Sequence, residues 1–321
     1  QSQLAEKLTS LSFADKVFFC NSGTEAVESA IKLARKYFFD QGQSGRTEII
    51  TMHNSFHGRT LGSLSATAQK KFHTGFKPLL PGFKHIPFND LQSARKAITK
   101  KTCAILVEPI QGEGGVNVPD PSYLKGLKKL CQKNGALLIF DEVQSGFGRT
   151  GKLFAYELYK TKPDIMTMAK ALGGGVAIGA MAATNKAMKS FVPGTHAATF
   201  GGNPLACSAA LATLKVITGK NFLNKVSATG NYFSQRLQEI ARKNPVVKEA
   251  RGAGLFLALE LNQPGHEIVV DCMNQGFLIN CIQQNVLRFI PPLTISRKDI
   301  DSLVSVLSNS LTKLNDKQQT F

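Results

Sequence analysis

Short apolar runs recur along this chain, separated by helical patterns, and no other feature limits its fold as strongly. KVFFC (Lys16 to Cys20), EIITM (Glu48 to Met52), CAILV (Cys103 to Val107) and ALLIF (Ala136 to Phe140) have the length and composition of strands, and DIMTM (Asp164 to Met168) continues the series. LQSARKAI and YLKGLKKLCQKNG, which precede the third and fourth runs, place apolar residues at helical intervals. Strands alternating with helices in this way predict an α/β fold: a mostly parallel central sheet with helices on both faces. Ligands of such sheets bind beyond the carboxyl ends of the strands. Each run here is followed at once by unusual polar or glycine-rich residues: NSGTE, HNSFHGRT, EPIQGEGG, DEVQSGFGRTG and AKALGGG. These strand ends are therefore expected to converge on one site.

With 321 residues the chain exceeds the usual single core, so a large domain (residues 1–218) and a small α+β domain (residues 219–321) are expected. NPLACSAALATLKVI reads as a helix leading out of the first, with Asn203 as cap and Pro204 at its first position. VKEARGAGLFLALEL and GFLINCIQQNVLRFIPPLTI read as strands of the second, and SRKDIDSLVSVLSNSLTKL as a closing helix with capping-box spacing from Ser296 to Asp299.

The net charge of +17 invites a nucleic-acid reading. The lysines and arginines are dispersed, as in ARKAITKKT and GLKKLCQK, without interleaved aromatics, which argues against nucleic-acid binding as the main role. Cys20, Cys103, Cys131, Cys207, Cys272 and Cys281 lie in apolar segments without CxxC spacing, so neither a metal site nor a disulfide framework is expected. Nothing approaches the run of about eighteen apolar residues needed to span a bilayer. QSQLAEKLTS has neither signal-peptide nor transit-peptide character, and the expected location is the cytoplasm.

The residues at the strand ends carry the chemical argument. Ser22 and Glu25 have capping-box spacing, which a plain helix start explains; the alternative is that the amides around Gly23 and Thr24 hold a phosphate at the positive helix end. Asp141, beyond a buried run, needs a positive partner, which an arginine or a protonated ring nitrogen of a cofactor could supply. Glu108 and Glu113 bracket PIQGE, Phe56 offers an aromatic face, and Arg59 and Arg288 offer forks for carboxylates. His57, with no nucleophile motif nearby, reads as a structural histidine. Lys170 stands between a buried strand and three consecutive glycines. A lysine there is either exposed or engaged in chemistry that removes its buried charge, such as a Schiff base. A phosphate cradle, an aromatic plate, a buried aspartate, a strand-end lysine and carboxylate forks together match the requirements of pyridoxal 5'-phosphate.

On NSGTEA, SFHGRT, VEPIQGEGG, DEVQSGFGRTG, AKALGGG, TFGGNPLACSAA and LRFIPPL, the chain resembles the class III (fold type I) pyridoxal-phosphate aminotransferases over essentially its entire length. FHGRTLG, LFAYE and LINCIQQNVLRFIPPL are most similar to the branch acting on N-acetylornithine in arginine biosynthesis. The resemblance implies that Lys170 bonds the cofactor aldehyde and then serves as general base, while Asp141 keeps the pyridine nitrogen protonated. It further implies that Gln144 touches the phenolic oxygen, Phe56 stacks on the ring, and Ser22, Gly23 and Thr24 bind the phosphate. Thr199 would reach the phosphate of the partner subunit in a homodimer with shared sites. Arg288 would clamp the α-carboxylate of glutamate and 2-oxoglutarate, Arg59 would meet the second carboxylate, and Glu113 would pair with the arginine when no carboxylate arrives. The implied reaction converts N-acetylornithine and 2-oxoglutarate into N-acetylglutamate 5-semialdehyde and glutamate. Relatives acting on ornithine, succinyldiaminopimelate or 4-aminobutyrate share nearly all these motifs. A decarboxylase, an aminomutase or a noncatalytic binding protein fits paired arginines and a glutamate switch less well. Two departures stand out: Ala177 replaces a customary proline, and the family's N-terminal segment, which adds to the small domain, substrate pocket and dimer contact, is absent from this sequence, which reads as a fragment.

Overall fold

The computed structural model describes residues 1–319, with side chains to residue 315. Its contacts divide the chain into two compact units. The first comprises Gln1–Ile110, Pro119–Phe147 and Phe154–Thr218; the second comprises Gln111–Val118, Gly148–Leu153 and the chain from Gly219 onward.

In the first unit, the strands are β1 (Lys16–Cys20), β2 (Glu48–Met52), β3 (Phe83–Ile86), β4 (Thr102–Val107), β5 (Leu137–Asp141), β6 (Ile165–Met168) and β7 (Gly179–Ala183). They form one sheet in the order β1-β7-β6-β5-β4-β2-β3. Only β7 runs against its neighbours, antiparallel to both β1 and β6. The remaining pairs are parallel, so β1, β2, β4, β5 and β6 all end on the same edge of the sheet. The helices are α1 (Ser2–Ser10), α2 (Gly23–Phe39), α3 (Leu61–Ala66), α4 (Lys70–His73), α5 (Leu91–Ala97), α6 (Tyr123–Asn134), α7 (Asn185–Met188) and α8 (Pro204–Ile217). They cover both faces of the sheet, which is why β4, β5 and β6 are buried along their whole length and read as unbroken apolar runs. Val27, Ile31, Leu33, Ala34 and Phe38 of α2 pack on Ile49, Ala104, Leu106 and Ile139 of the sheet, each large side chain contributing about 2 kcal/mol by its removal from water.

The observed strands follow the expected ones with shifts of one residue at β4, β5 and β6. The shift at β5 carries Asp141 into the ladder, because Asp141 pairs with Thr167 of β6. The sequence reading had no β3 or β7. FKHI is half-buried and GAMAA is made of small residues, so neither has the bulky apolar signature of its neighbours.

The second unit holds β8 (Val247–Ala253), β9 (Phe256–Leu261), β10 (Asn280–Ile282) and β11 (Val286–Phe289) in an antiparallel sheet of order β10-β11-β9-β8. Packed with it are α9 (Phe222–Lys243), α10 (His266–Asn274) and α11 (Arg297–Gln319), through Phe233, Leu237, Leu257, Leu259, Leu287 and Leu307. The expected cap of α8 forms, with Asn203 Oδ1 accepting from the Ala206 amide at 2.9 Å. The capping box opening α11 forms too: the Asp299 amide donates to Ser296 Oγ at 3.2 Å and the Ser296 amide to Asp299 Oδ2 at 3.2 Å.

The sequence reading put residues 111–118 and 148–153 in the larger region, but they pack with the second unit. Backbone groups explain the difference. Arg251 donates from Nε and Nη2 to the Gly115 carbonyl at 3.1 and 2.6 Å, and Arg149 donates from Nη1 to the carbonyls of Leu255 and Pro291 at 3.0 and 2.6 Å. Such contacts leave no periodic trace in a sequence.

Candidate active site

Asp141 ends β5 at the common strand edge. It is 4% exposed. Its Oδ1 accepts from Thr167 Oγ1 at 2.9 Å and from the Val143 amide at 3.1 Å, while Oδ2 accepts from His57 Nδ1 at 2.8 Å. Among the described residues no arginine forms an ion pair with Asp141. The arginine alternative for its partner is thereby removed. A buried carboxylate held by a hydroxyl, a backbone amide and a histidine retains the capacity to bind a protonated ring nitrogen. His57, read as a structural histidine, donates from Nδ1 to Asp141, and among the described residues its buried Nε2 meets no hydrogen-bond partner.

Lys170 follows β6 by two residues and opens a single 3-10 turn, Lys170–Gly173. Its φ of 46° is in the left-handed region, an uncommon conformation for a side chain of this size. Met168 and Ala169 are buried, whereas Lys170 is exposed. Because β6 lies beside β5, Lys170 leaves the sheet next to the strand that ends in Asp141.

The α2 N-terminus approaches both. A β-carbon on Gly23 would lie 2.8 Å from Val143 Cγ1 and 3.5 Å from Ala169 Cβ, so only glycine lets this turn sit against the two strand ends. Ser22 is an N-cap whose Oγ accepts from the Glu25 amide at 3.3 Å, as capping-box spacing predicts. Thr24 Oγ1 is 2.6 Å from Ser63 Oγ and accepts from the amides of Arg59 and Thr60 at 3.1 and 3.2 Å. NSGTE and SFHGRT are thus one assembly, closed by Gly58 at φ +130°, where a side chain would collide with Thr24 and Ser63.

Phe56 is half-buried, and its amide donates to the buried Glu108 carboxylate at 3.1 Å. Arg59 is exposed, with its guanidinium 5.4 Å from the centroid of the Phe56 ring and 4.0 Å from that of Phe72. Gln144 is half-buried in the turn after β5. That turn is anchored by Glu142, which sequence reasoning passed over. Its carboxylate accepts from Ser145 Oγ, the Ala155 amide and the Tyr156 amide at 2.8, 2.8 and 2.7 Å. Burial pushes the Glu142 carboxyl up to about 7, against the lowering effect of those donors. Thr199 is exposed in the turn before α8, flanked by Phe200 at 71% and Leu205 at 74% exposure.

Within the second unit, Arg288 of β11 and Glu113 form an ion pair of 2.7 Å. Arg288 Nε also donates to Asn280 Oδ1 at 3.3 Å, and Gln283 Nε2 donates to the Glu113 carbonyl at 2.8 Å. Two of the expected substrate-binding residues, 175 positions apart, therefore meet in this unit.

The Aminotransferase class-III family matches residues 1–311. An acetylornithine aminotransferase from Methanocaldococcus jannaschii is 51% identical over 315 residues, covering 98% of this chain and 79% of the relative; one from Caldanaerobacter subterraneus subsp. tengcongensis is 50% identical over 316, covering 98% and 80%. Among solved structures, the ornithine aminotransferase from Toxoplasma gondii superimposes with a TM-score of 0.94 at 34% identity, covering 98% of this chain and 77% of that one. The chain belongs to the class III aminotransferases. It is a pyridoxal-phosphate-dependent transaminase of fold type I.

Proposed function

We propose that this chain transfers the δ-amino group of N-acetylornithine to 2-oxoglutarate, giving N-acetylglutamate 5-semialdehyde and glutamate, as a step of arginine biosynthesis. The observation that carries the chemistry is the placement of Lys170 and the buried Asp141 at the ends of adjacent parallel strands. The choice of amino donor is supported by relatives 44–51% identical that are named acetylornithine aminotransferases.

Pyridoxal phosphate, when bound, supplies an aldehyde that condenses with amines and a ring that accepts electrons. The residues fit it. Ser22, Gly23 and Thr24 at the α2 N-terminus receive the phosphate through backbone amides, and Phe56 offers its ring face. Asp141 holds the proton on the pyridine nitrogen, an electrostatic contribution that grows as negative charge develops in the ring. His57 orients Asp141, and Gln144 reaches the phenolic oxygen. Lys170 Nζ takes the proton from the substrate carbon that bears the amine and returns it on the other side of the exchange, as a general base and then acid. Arg288 receives the carboxylate adjacent to the reacting carbon of 2-oxoglutarate, and Glu113 occupies Arg288 when the donor brings no such carboxylate. Arg59 meets the carboxylate remote from the reacting carbon.

The working form is a homodimer in which Thr199 contacts the phosphate bound by the partner subunit. Exposed Phe200 and Leu205 beside Thr199 support a covered face there. The expected compartment is the cytoplasm, in keeping with six free thiols, five of them buried. No described helix is long and apolar enough to cross a membrane.

Visible spectroscopy tests the proposal. The protein with bound pyridoxal phosphate should lose its long-wavelength band on addition of N-acetylornithine and recover it with 2-oxoglutarate. A band bleached by ornithine or 4-aminobutyrate but indifferent to N-acetylornithine would move the donor to a relative's substrate.

A further inference from the structure

Phe72 was given no role by the sequence, yet it touches both the aromatic plate and the exposed guanidinium of the site. Its ring meets Phe56 edge to face, with centroids 5.7 Å apart and planes at 82°. The Arg59 guanidinium lies 4.0 Å over the Phe72 ring and 5.4 Å from that of Phe56, so Phe72 is the nearer platform. Lys71 Nζ stands 4.9 Å from the same ring, adding a second cation. The short α4 that carries Phe72 is fastened on both sides. His73 Nε2 donates to the Thr67 carbonyl at 2.6 Å, and Gln69 Nε2 donates to the carbonyls of Asn54 and Ser55 at 3.2 and 3.1 Å.

An exposed arginine loses side-chain entropy when it captures a carboxylate, and a fixed aromatic platform removes part of that loss beforehand. We propose that Phe72 is a positioning and specificity-determining residue, whose ring holds the Arg59 guanidinium ready for the carboxylate remote from the reacting carbon. The inference rests on the reading of Arg59 as a carboxylate-binding group. Both substrates present such a carboxylate: N-acetylornithine reacts at its δ-carbon and carries its carboxylate at the far end, and 2-oxoglutarate reacts at C2 and carries one at C5. A ligand lacking it gains nothing from the platform.

The test uses the cofactor-loaded enzyme with Phe72→Leu, Phe72→Tyr, Arg59→Met and the Phe72→Leu/Arg59→Met pair. KM and kcat are measured for both substrates, and the dissociation constant of glutarate, an unreactive dicarboxylate, by calorimetry. Arg59→Met should raise KM and the glutarate constant about tenfold or more. Phe72→Leu should raise them about three- to fivefold with kcat within about twofold, Phe72→Tyr should behave as the parent, and Phe72→Leu should add nothing in the Arg59→Met background. If Phe72→Leu fails to retain the cofactor band, Phe72→Met supplies the ring-free comparison. An unchanged glutarate constant in the ring-free variant, or an equal effect with and without Arg59, overturns the role of Phe72 while the reading of Arg59 stands. An unchanged constant in Arg59→Met overturns that reading itself, and the inference with it.

Discussion

Asp141 in the first unit and Arg288 in the second are both charged, both buried and both paired, but they are held in different ways. Three donors from three segments converge on Asp141, which is 4% exposed. Arg288 has one carboxylate partner, Glu113, whose side chain is 29% exposed. Because Glu113 is partly open to solvent, its carboxylate can return to water when a substrate carboxylate takes its place on the buried Arg288 guanidinium, so the charge on Arg288 stays paired throughout the exchange. Removing one member of the Asp141 network leaves buried polar atoms without partners. On the proposed function, the contrast separates a group that would hold one proton in place throughout from a group that would change partners between half-reactions.

The sharpest way to break this contrast is at the fixed end. Lys170→Ala should lower single-turnover transfer from N-acetylornithine about a thousandfold or more, because it removes the only proposed proton carrier. Retention of a tenth of the parent rate would contradict the role. Asp141→Asn should lower kcat about a hundred- to a thousandfold while leaving KM for 2-oxoglutarate nearly unchanged, a split measured in steady-state kinetics.

Stability offers a third handle on the fixed region. Glu142 titrates near 4.5 in an unfolded chain and about 7 when folded, because burial disfavours its charge. The folded state then binds this proton more tightly than the unfolded one. The stabilisation is complete below about 4.5 and is lost as pH rises through about 7, a change of about 3 kcal/mol. Melting of the cofactor-free protein between pH 4.5 and 8 should show this decline, and Glu142→Gln should flatten it. An identical pH profile in the variant would assign the decline elsewhere.

The exchangeable end should respond more gently. Glu113→Gln leaves Arg288 without its internal carboxylate, so the ratio of kcat/KM for glutamate to that for N-acetylornithine should rise about fivefold. An equal loss with both donors would contradict partner exchange.

The two regions also differed in how much of them could be read from the sequence. Asp141 ends a strand, and Lys170 and Gly23 follow strands by two and three residues; the apolar runs of these strands are unmistakable, so the convergence of their ends follows from a parallel sheet alone. The pairing of His57 with Asp141 does not follow, because nothing in HNSFHGRT indicates which way that ring points. Glu142 was hidden for a related reason: its donors, Ala155 and Tyr156, lie past an excursion of the chain into the other unit. The meeting of Glu113 with Arg288 depends on residues 111–118 joining the second unit through backbone carbonyls and an arginine, which no apolar period records. Phe72 lies on a four-residue helix, too short to leave a helical pattern.

Lys170 is the residue to which the cofactor is proposed to attach. The direct measurement is reduction of the pyridoxal-phosphate-loaded protein with borohydride, followed by proteolysis and mass spectrometry of the labelled peptides. One phosphopyridoxyl-labelled lysine, Lys170, is expected, with no label in Lys170→Ala. Label on another lysine, or spread among surface lysines with Lys170 unmodified, would contradict it.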